Sequence, residues 1–287
     1  MSLLINWQVL LKMIRYNNIR FKSLADFFNF YKLSKDNIKK LISLKGILVN
    51  DMVIDNINFS LKKNDLICID EALIKKNKYI PYKFDLNILY EDNDIVLVYK
   101  PKNILVHPDG NSNETLVNAL SYYYRNTDVV FEHLHRLDYE TDGIVLFSKN
   151  ILAHSYLVSL FENREVVKKY ICLCHGNFNK TKAVIDAPIS KDRHVNNKMI
   201  VYKGGKKALS EYEVLYNSSI SKLLVTIKGG RKHQIRVHLS HIKHPICGDK
   251  LYGVLDNFDS LCLTFVYIRF IHPRTLEPFE FEIESEL

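Results

Sequence analysis

The sequence predicts an α+β protein built on a mostly antiparallel mixed sheet and preceded by a small α/β module. Three observations carry that reading. Strand-like runs follow one another over much of the chain instead of alternating regularly with helices, which is an α+β pattern and not a doubly wound one. Gly204-Gly205 and Gly229-Gly230 are pairs outside the strand–GxGxxG–helix context of a phosphate-binding turn. The charge is also split. Of the formal net charge of +8 over 287 residues, residues 1–80 hold 14 Lys and Arg against 7 Asp and Glu, whereas residues 81–287 hold 26 against 25. A basic appendage on an almost neutral body suits a polyanionic partner, because phosphate contacts give affinity through charge; the alternative is a solvated lysine-rich face.

The length allows one large domain and one small one, and 47% hydrophobic residues suffice for a packed core. Residues 1–16 are rich in Leu, Ile and Val, but Asn6, Gln8, Lys12 and Arg15 break the run well short of the ~18 apolar residues of a membrane span. No small-residue cleavage site follows, so neither a membrane anchor nor secretion is expected. Five Cys, an odd number, suit the reducing cytoplasm better than a disulfide framework. Cys172 and Cys174 share one strand face and are expected in the core.

Taken in order, Leu24, Phe27, Phe28, Phe30 and Tyr31 have helical spacing. Ser34 is an N-cap for a second helix carrying Ile38, Leu41, Ile42 and Leu44, closed by Gly46. Residues 47–51 and 66–69 read as short strands. Residues 71–84, with Lys75, Lys76, Lys78 and Pro81, lack any period and read as a linker. The expected division is therefore a module over residues 1–72, a linker over 73–84 and a body over 85–287. Residues 89–100 lead to a buried strand ending at Pro101, Pro108 and Gly110 punctuate a loop, and residues 115–124 form a helix. From Tyr170 onward short strands dominate, with residues 191–205 a polar, basic excursion able to close over a ligand. Internal repeats and low-complexity tracts are absent from the sequence.

Two stretches carry chemistry. The first runs His133-Leu134-His135-Arg136-Leu137-Asp138-Tyr139-Glu140-Thr141-Asp142-Gly143 into the apolar Ile144-Val145-Leu146-Phe147. It places Asp138 at the mouth of a buried strand beside Arg136 and two His, where loops on a rigid sheet commonly hold reactive groups. An ordinary turn with an Asp cap is the competing reading. The second runs Gly230-Arg231-Lys232-His233-Gln234-Ile235-Arg236-Val237-His238-Leu239 and on through His244-Pro245 to Gly248-Asp249-Lys250-Leu251-Tyr252-Gly253.

Together, these HRLDxxTxG and GRxHQIRVH patterns resemble the RluA/RluD-type pseudouridine synthase family. The likeness covers roughly residues 85–280 and includes Lys169-Tyr170, Lys207 to Tyr212, and His272-Pro273. It implies a central active-site cleft in which Asp138 is the catalytic carboxylate, nucleophile or base. Arg231 is the Arg paired with it, and Tyr170 the ring against the base. An Arg suits that pairing because its fork can fix both carboxylate oxygens and stays charged when buried. A Tyr can hold a detached uracil by stacking and relay a proton through its hydroxyl. Arg136 resembles a residue that fills the space an extruded base leaves or contacts the RNA backbone; pairing with Glu140 or Asp142 is its alternative. His107-Pro108 resembles the loop beside the site, and Ile227 offers an apolar wall. Asp142 stands where the family usually has Ser.

Residues 1–72 are similar to the S-four-type RNA-binding domain, which makes Lys39, Lys40 and Lys45, gathered with Ser34 on or beside the second helix, candidate RNA contacts. The usual Val-Asn-Gly turn reads Val49-Asn50-Asp51 here, the usual Gly-Asp reads Asn64-Asp65, and the opening Arg-Leu-Asp is not recognisable. The resemblance implies isomerisation of specific uridines in RNA. Large-subunit ribosomal RNA is the expected substrate, since that appendage accompanies that branch, and transfer RNA is the nearest alternative. The bond change oxidises nothing and transfers no group, so no cofactor is required. His233, His241 and His244 can be drawn as metal ligands, but their spacing matches no zinc pattern and no metal is expected; His238 and His244 read as hydrogen-bonded structural groups. No protein partner is implied, and a monomer is expected. Two rivals remain: a binding protein that keeps the fold only to hold RNA, and a glycoside hydrolase using Asp138 with Glu140 or Asp142.

Overall fold

The computed structural model of the chain describes residues 13–75, 79–110 and 112–287. Most of the stretch 1–16 and the linker residues Lys76 and Lys78 lie outside the described residues. No helix among the described residues is long and apolar enough to cross a membrane.

The chain opens with β1 (Ile14–Asn17), then α1 (Leu24–Phe30) and α2 (Lys35–Ser43), then β2 (Ile47–Val49), β3 (Met52–Val53) and β4 (Leu66–Ile69). Ser23 and Ser34 cap the two helices, accepting from the backbone N–H of Asp26 and Asn37. Leu24, Phe27, Phe28, Ile38 and Leu41 are buried against the four-stranded antiparallel sheet β1-β4-β2-β3. The second helix closes differently from expectation. Lys45, not Gly46, takes the left-handed backbone (φ 57°), while the Gly46 N–H closes the helix on the Leu41 carbonyl at 2.8 Å and a Cβ there would press on the end of the Leu73 side chain at 2.7 Å. The strand after it ends at Val49, and Asn50 and Asp51 both turn with positive φ, the geometry of a tight hairpin.

The body follows as β5 (Asn87–Glu91), β6 (Ile95–Lys100), α3 (Leu116–Tyr123), β7 (Glu132–His133), β8 (Asp142–Ser148), α4 (Ile151–Glu162), β9 (Val167–His175), β10 (Lys182–Asp186), β11 (Ile189–Lys191), β12 (Met199–Val201), β13 (Leu209–Tyr216), β14 (Ile220–Ile227), α5 (Gln234–His241), β15 (Leu263–Ile271) and β16 (Pro278–Glu282). Ten of these strands form one mixed sheet in the order β10-β13-β14-β9-β15-β8-β6-β5, with β16 on β15 and β7 on β8. The expected mixed α+β architecture with a large, mostly antiparallel sheet is therefore present. Cys172 and Cys174 are buried in it, as expected.

One pair in the large sheet is parallel. The strands β15 and β8 share only two residue pairs, Thr264 with Asp142 and Phe265 with Gly143. Gly143 makes that approach possible: its φ is +117°, and a Cβ would stand 2.2 Å from the Phe265 carbonyl oxygen. Asp142 closes the same seam, accepting from the Tyr99 hydroxyl at 2.7 Å and the Thr264 hydroxyl at 2.9 Å. Its carboxylate is thus committed to joining three strands.

The N-terminal module shares its core with the body, since one buried apolar cluster runs from Ile14 and Phe27 through Leu146 to Phe265. Asp94, fully buried at the start of β6, accepts from the Tyr16 hydroxyl at 2.9 Å, Asn150 Nδ2 at 2.8 Å and Arg274, whose Nη1 also donates to the Arg15 carbonyl at 2.6 Å. Tyr31 donates to the Pro273 carbonyl at 3.0 Å. The Glu71 carboxylate accepts the Ile151 N–H, at the start of α4, at 2.8 Å. The described part of the 73–84 stretch is also anchored, with Asn118 donating to the Ile80 carbonyl and Ser121 to the Tyr79 carbonyl.

Candidate active site

The loop between β7 and β8 runs along the edge of β8 that β15 leaves free. Leu134 donates to the Leu146 carbonyl, and the Leu146 N–H donates to His135 Nε2 at 3.1 Å. Burial pushes His135 down to about 3, so it is a neutral acceptor that fixes the loop. Lys100 fixes its far end. Fully buried at the end of β6, its Nζ donates to the carbonyls of Pro101, Ile104 and Tyr139 at 2.9, 2.9 and 3.2 Å. Between these anchors Asp138 faces a cleft of about 1140 Å³.

Across the cleft, the first turn of α5 supplies the counter-charge. Arg236 Nη1 lies 3.3 Å from Asp138 Oδ2. Its opposite edge is held by Asp249, with Nε to Oδ2 and Nη2 to Oδ1 both at 2.8 Å, a bidentate pairing that sets the plane of the guanidinium. Asp249 is itself fixed by the N–H groups of Leu251 and Tyr252 at 3.0 Å. Glu140 lies 3.6 Å from the same Arg. Burial alone would lower the Arg236 pKa, but hydrogen bonds and charge from Asp249, then Asp138, hold it above the ordinary value.

The pairing expected of Arg231 is therefore made by Arg236. Arg231 precedes the helix in a turn, where its N–H donates to Gln234 Oε1 at 3.0 Å and its Nε to the Lys207 carbonyl at 3.3 Å. It lines the cleft, but its guanidinium is turned to the β13 side. The HQIRVH run divides its labour by position. Gln234 Nε2 donates to the Leu209 carbonyl and Ser210 Oγ, and His238 bridges Ser210 Oγ and the Ala187 carbonyl. Both pin α5 to β13 and its surroundings. His233, in left-handed backbone at φ 55°, meets the Tyr252 hydroxyl through Nδ1 at 2.8 Å and points Nε2 at Asp138 Oδ2, 3.9 Å away. Burial pushes His233 below its ordinary pKa against the pull of Asp138.

Tyr170 lies on β9 with its ring stacked on Phe265 at 4.7 Å and 17°. Burial first, then the charge of Asp138, pushes its hydroxyl pKa up, leaving a neutral phenol facing the cleft. Ile227 is buried in the same wall. Arg136 is exposed at the rim, 3.3 Å from His107 Nε2, and His107 stacks on His133; Arg136 pairs with neither Glu140 nor Asp142. Lys39, Lys40 and Lys45 are exposed on the N-terminal module. Among the described residues, two groups bring three His, Cys or carboxylate ligand atoms together, His175, Cys247, Asp256 and Asp92, Asp94, His272. Neither contains His233, His241 or His244, and His244 stacks on Phe178 while bonding the His175 carbonyl.

Arg236, Asp249 and Tyr252 are given no role by the sequence reading, and His233 enters it only as a possible metal ligand. All four lie in the stretch from GRKHQIR to GDKLYG, so the signal was present; which of two Arg faces Asp138 depends on the turn preceding α5.

Comparison with known proteins gives a consistent picture. The RNA pseudouridylate synthase family model matches residues 94–241. A ribosomal large subunit pseudouridine synthase D of Yersinia pestis is 33% identical over 271 residues, spanning 88% of this chain and 82% of the relative. The protein of the same name from Escherichia coli K12 is 31% identical over the same shares. The solved human RNA pseudouridylate synthase domain containing 1 superposes with a TM-score of 0.60 at 26% identity, covering 70% of this chain and 84% of the other.

Proposed function

Because this chain belongs to the RluA/RluD-type family of RNA pseudouridine synthases, we propose that it isomerises specific uridines of large-subunit ribosomal RNA, with Asp138 as the catalytic carboxylate. The observation that carries the reading is the Asp138–Arg236 contact at 3.3 Å in a cleft also lined by Tyr170. The enzyme class is RNA pseudouridine synthase, an isomerase. The ribosomal substrate is supported by the names of the relatives just described.

In this reading the target uridine is extruded from its helix so that its sugar reaches Asp138. The carboxylate acts at the ribose as nucleophile or base while the bond to the base nitrogen breaks. Arg236, held in one plane by Asp249, keeps the carboxylate oriented and supplies the opposing charge. The freed uracil rests on the Tyr170 ring, turns, and rejoins through carbon five; the C5–H bond then breaks, and the proton lost there is balanced by the one the freed ring nitrogen takes up. Arg136, exposed at the rim, contacts the RNA backbone or fills the vacated space. Residues 1–72 act as an S-four-type RNA-binding domain whose Lys39, Lys40 and Lys45 meet phosphates, joined through 73–84 to a catalytic domain over 85–287. Such contacts position the substrate and leave selection of the uridine to the cleft.

Pseudouridine mapping of total RNA, from cells with the protein, without it, and with Asp138→Ala, tests the proposal. A position in large-subunit ribosomal RNA should lose its pseudouridine in the last two. Loss only in transfer RNA would move the substrate assignment, and normal modification by Asp138→Ala would remove Asp138 from the chemistry.

A further inference from the structure

The cleft has a second charged end that the chemistry above leaves unused. Lys168 lies two residues before Tyr170 on β9, is only 4% exposed, and lines the cleft. Its Nζ donates to the Gly229 carbonyl at 2.6 Å and sits 5.4 Å from the centre of the Phe161 ring. No carboxylate among the described residues pairs with it. An ammonium carries three donors, and one is used. Burial pushes Lys168 down to about 8, and no carboxylate opposes that shift.

Two neighbouring cations show how differently this fold treats a buried charge. Lys100 spends its donors on three carbonyls. Arg236 stands among Asp249, Asp138 and Glu140. A buried cation without a matching group costs stability, and a perturbed group in a cleft marks a place where a ligand completes the set. The space beside it is suitable. A Cβ on Gly229 would meet nothing within 4 Å, and one on Gly230 would meet only Lys168 Nζ at 3.3 Å. Both glycines line the cleft, so a ligand can approach this backbone closely beside the ammonium.

Resting on the uridine-isomerase reading, we propose that Lys168 binds a backbone phosphate flanking the target uridine and seats the RNA strand against Gly229-Gly230. The pairing is argued from charge. The uracil carbonyls are neutral acceptors that a neutral donor would satisfy, whereas a full positive charge matches a full anion. The cleft lining holds seven Lys and Arg against three Asp and Glu, a surplus that favours a polyanion, and Arg236 is already committed to carboxylates whereas Lys168 is not. Side chains at i and i+2 share a strand face and stand roughly 7 Å apart, which puts a phosphate on Lys168 within one nucleotide of a base on Tyr170.

The test uses a ribosomal RNA fragment carrying the mapped uridine, made as a series with one neutral methylphosphonate at each position around it. Dissociation constants and single-turnover rates are measured for the wild type and for Lys168→Met, with Lys168→Gln taking its place should that variant fail to fold. One methylphosphonate position should weaken wild-type binding about tenfold, the scale of a hydrogen bond to a charged group. Lys168→Met should bind the unmodified RNA about tenfold more weakly and lose nothing further at that same position. Equal added losses in both proteins at every position would overturn the proposal. So would a variant with wild-type binding and slowed turnover, which would put Lys168 on the base. If the wild type forms no pseudouridine in any ribosomal fragment, the parent reading fails instead.

Discussion

The position of Asp138 is set by neighbours that are themselves held still. The order of anchoring runs from the backbone N–H groups of Leu251 and Tyr252 to Asp249, from Asp249 to Arg236, and from Arg236 to Asp138. Replacing Arg236 by Met should therefore both abolish turnover and destabilise the fold by roughly 3–5 kcal/mol, because Asp249 would be left buried without its partner. Arg231→Met should keep the rate at saturating RNA, since that side chain bonds the Lys207 carbonyl. Single-turnover rates and urea unfolding of the two variants check this; equal losses in both would return the role to Arg231. At the same scale, Tyr170→Phe separates ring from hydroxyl. The stack on Phe265 should survive, so turnover by Tyr170→Phe above that of Tyr170→Ala measures the ring's share. Which residues carry the site was only partly legible from the sequence. Asp138 and Tyr170 sit at fixed offsets from a strand, so a motif locates them. The choice between Arg231 and Arg236 depends on a turn that sends one guanidinium to β13 and the other across the cleft.

At the scale of elements, the junctions are where charge and packing are most tightly joined. Glu71 follows β4 and caps the approach to α4 from outside, accepting the Ile151 N–H while Asn150 caps from within. Burial pushes Glu71 from 4.5 up to about 8, against the opposing effects of that N–H and of Lys75. Between those values the folded protein keeps a proton that the unfolded chain gives up, so this group's contribution to stability is present below 4.5 and is lost as pH rises through 8. The neutral His135 and His154, pushed down to about 3 and about 4 by burial, act in the opposite sense over a more acidic window. A direct comparison isolates the Glu71 effect. Wild type should lose up to a few kcal/mol more than Glu71→Gln in urea unfolding between pH 5 and pH 8, and identical profiles would show that Glu71 is ionised throughout. Element types were readable from periodicity and caps. The seam between β8 and β15 was not, because a parallel pairing of only two residues leaves no period in either strand.

For the whole molecule, the uneven charge and the shared core pull in different directions. The sequence suggests a basic module that can be removed; the structure ties it to the body through Tyr16, Asp94 and Arg274. Deleting residues 1–80 should flatten the salt dependence of RNA binding, by roughly 0.7 in the log–log slope for each phosphate that the module neutralises on single strands. It should also lower the melting temperature by at least about 4–8 °C, the share of the Tyr16–Asp94 hydrogen bond alone at about 2 kcal/mol, with the loss of the shared core adding to it. A salt series and a thermal melt of the truncated chain check both, and an unchanged melting temperature would make the interface energetically idle. Docking of this kind also fixes the distance between the Lys39–Lys40–Lys45 surface and the cleft. The position of β15 further dictates when the large sheet is complete. It fills the gap between β8 and β9, yet β9 ends at His175 and β15 begins only at Leu263. At roughly 5–20 residues per second of synthesis, the inner edge of β9 waits several seconds or more on the ribosome with its backbone groups unpaired. A nascent chain that stops short of this strand has Asp138 and Arg236 but no Phe265 behind the Tyr170 ring, and it offers other chains an open strand edge. A backed Tyr170 ring and a closed sheet therefore arrive together, once translation has passed β15.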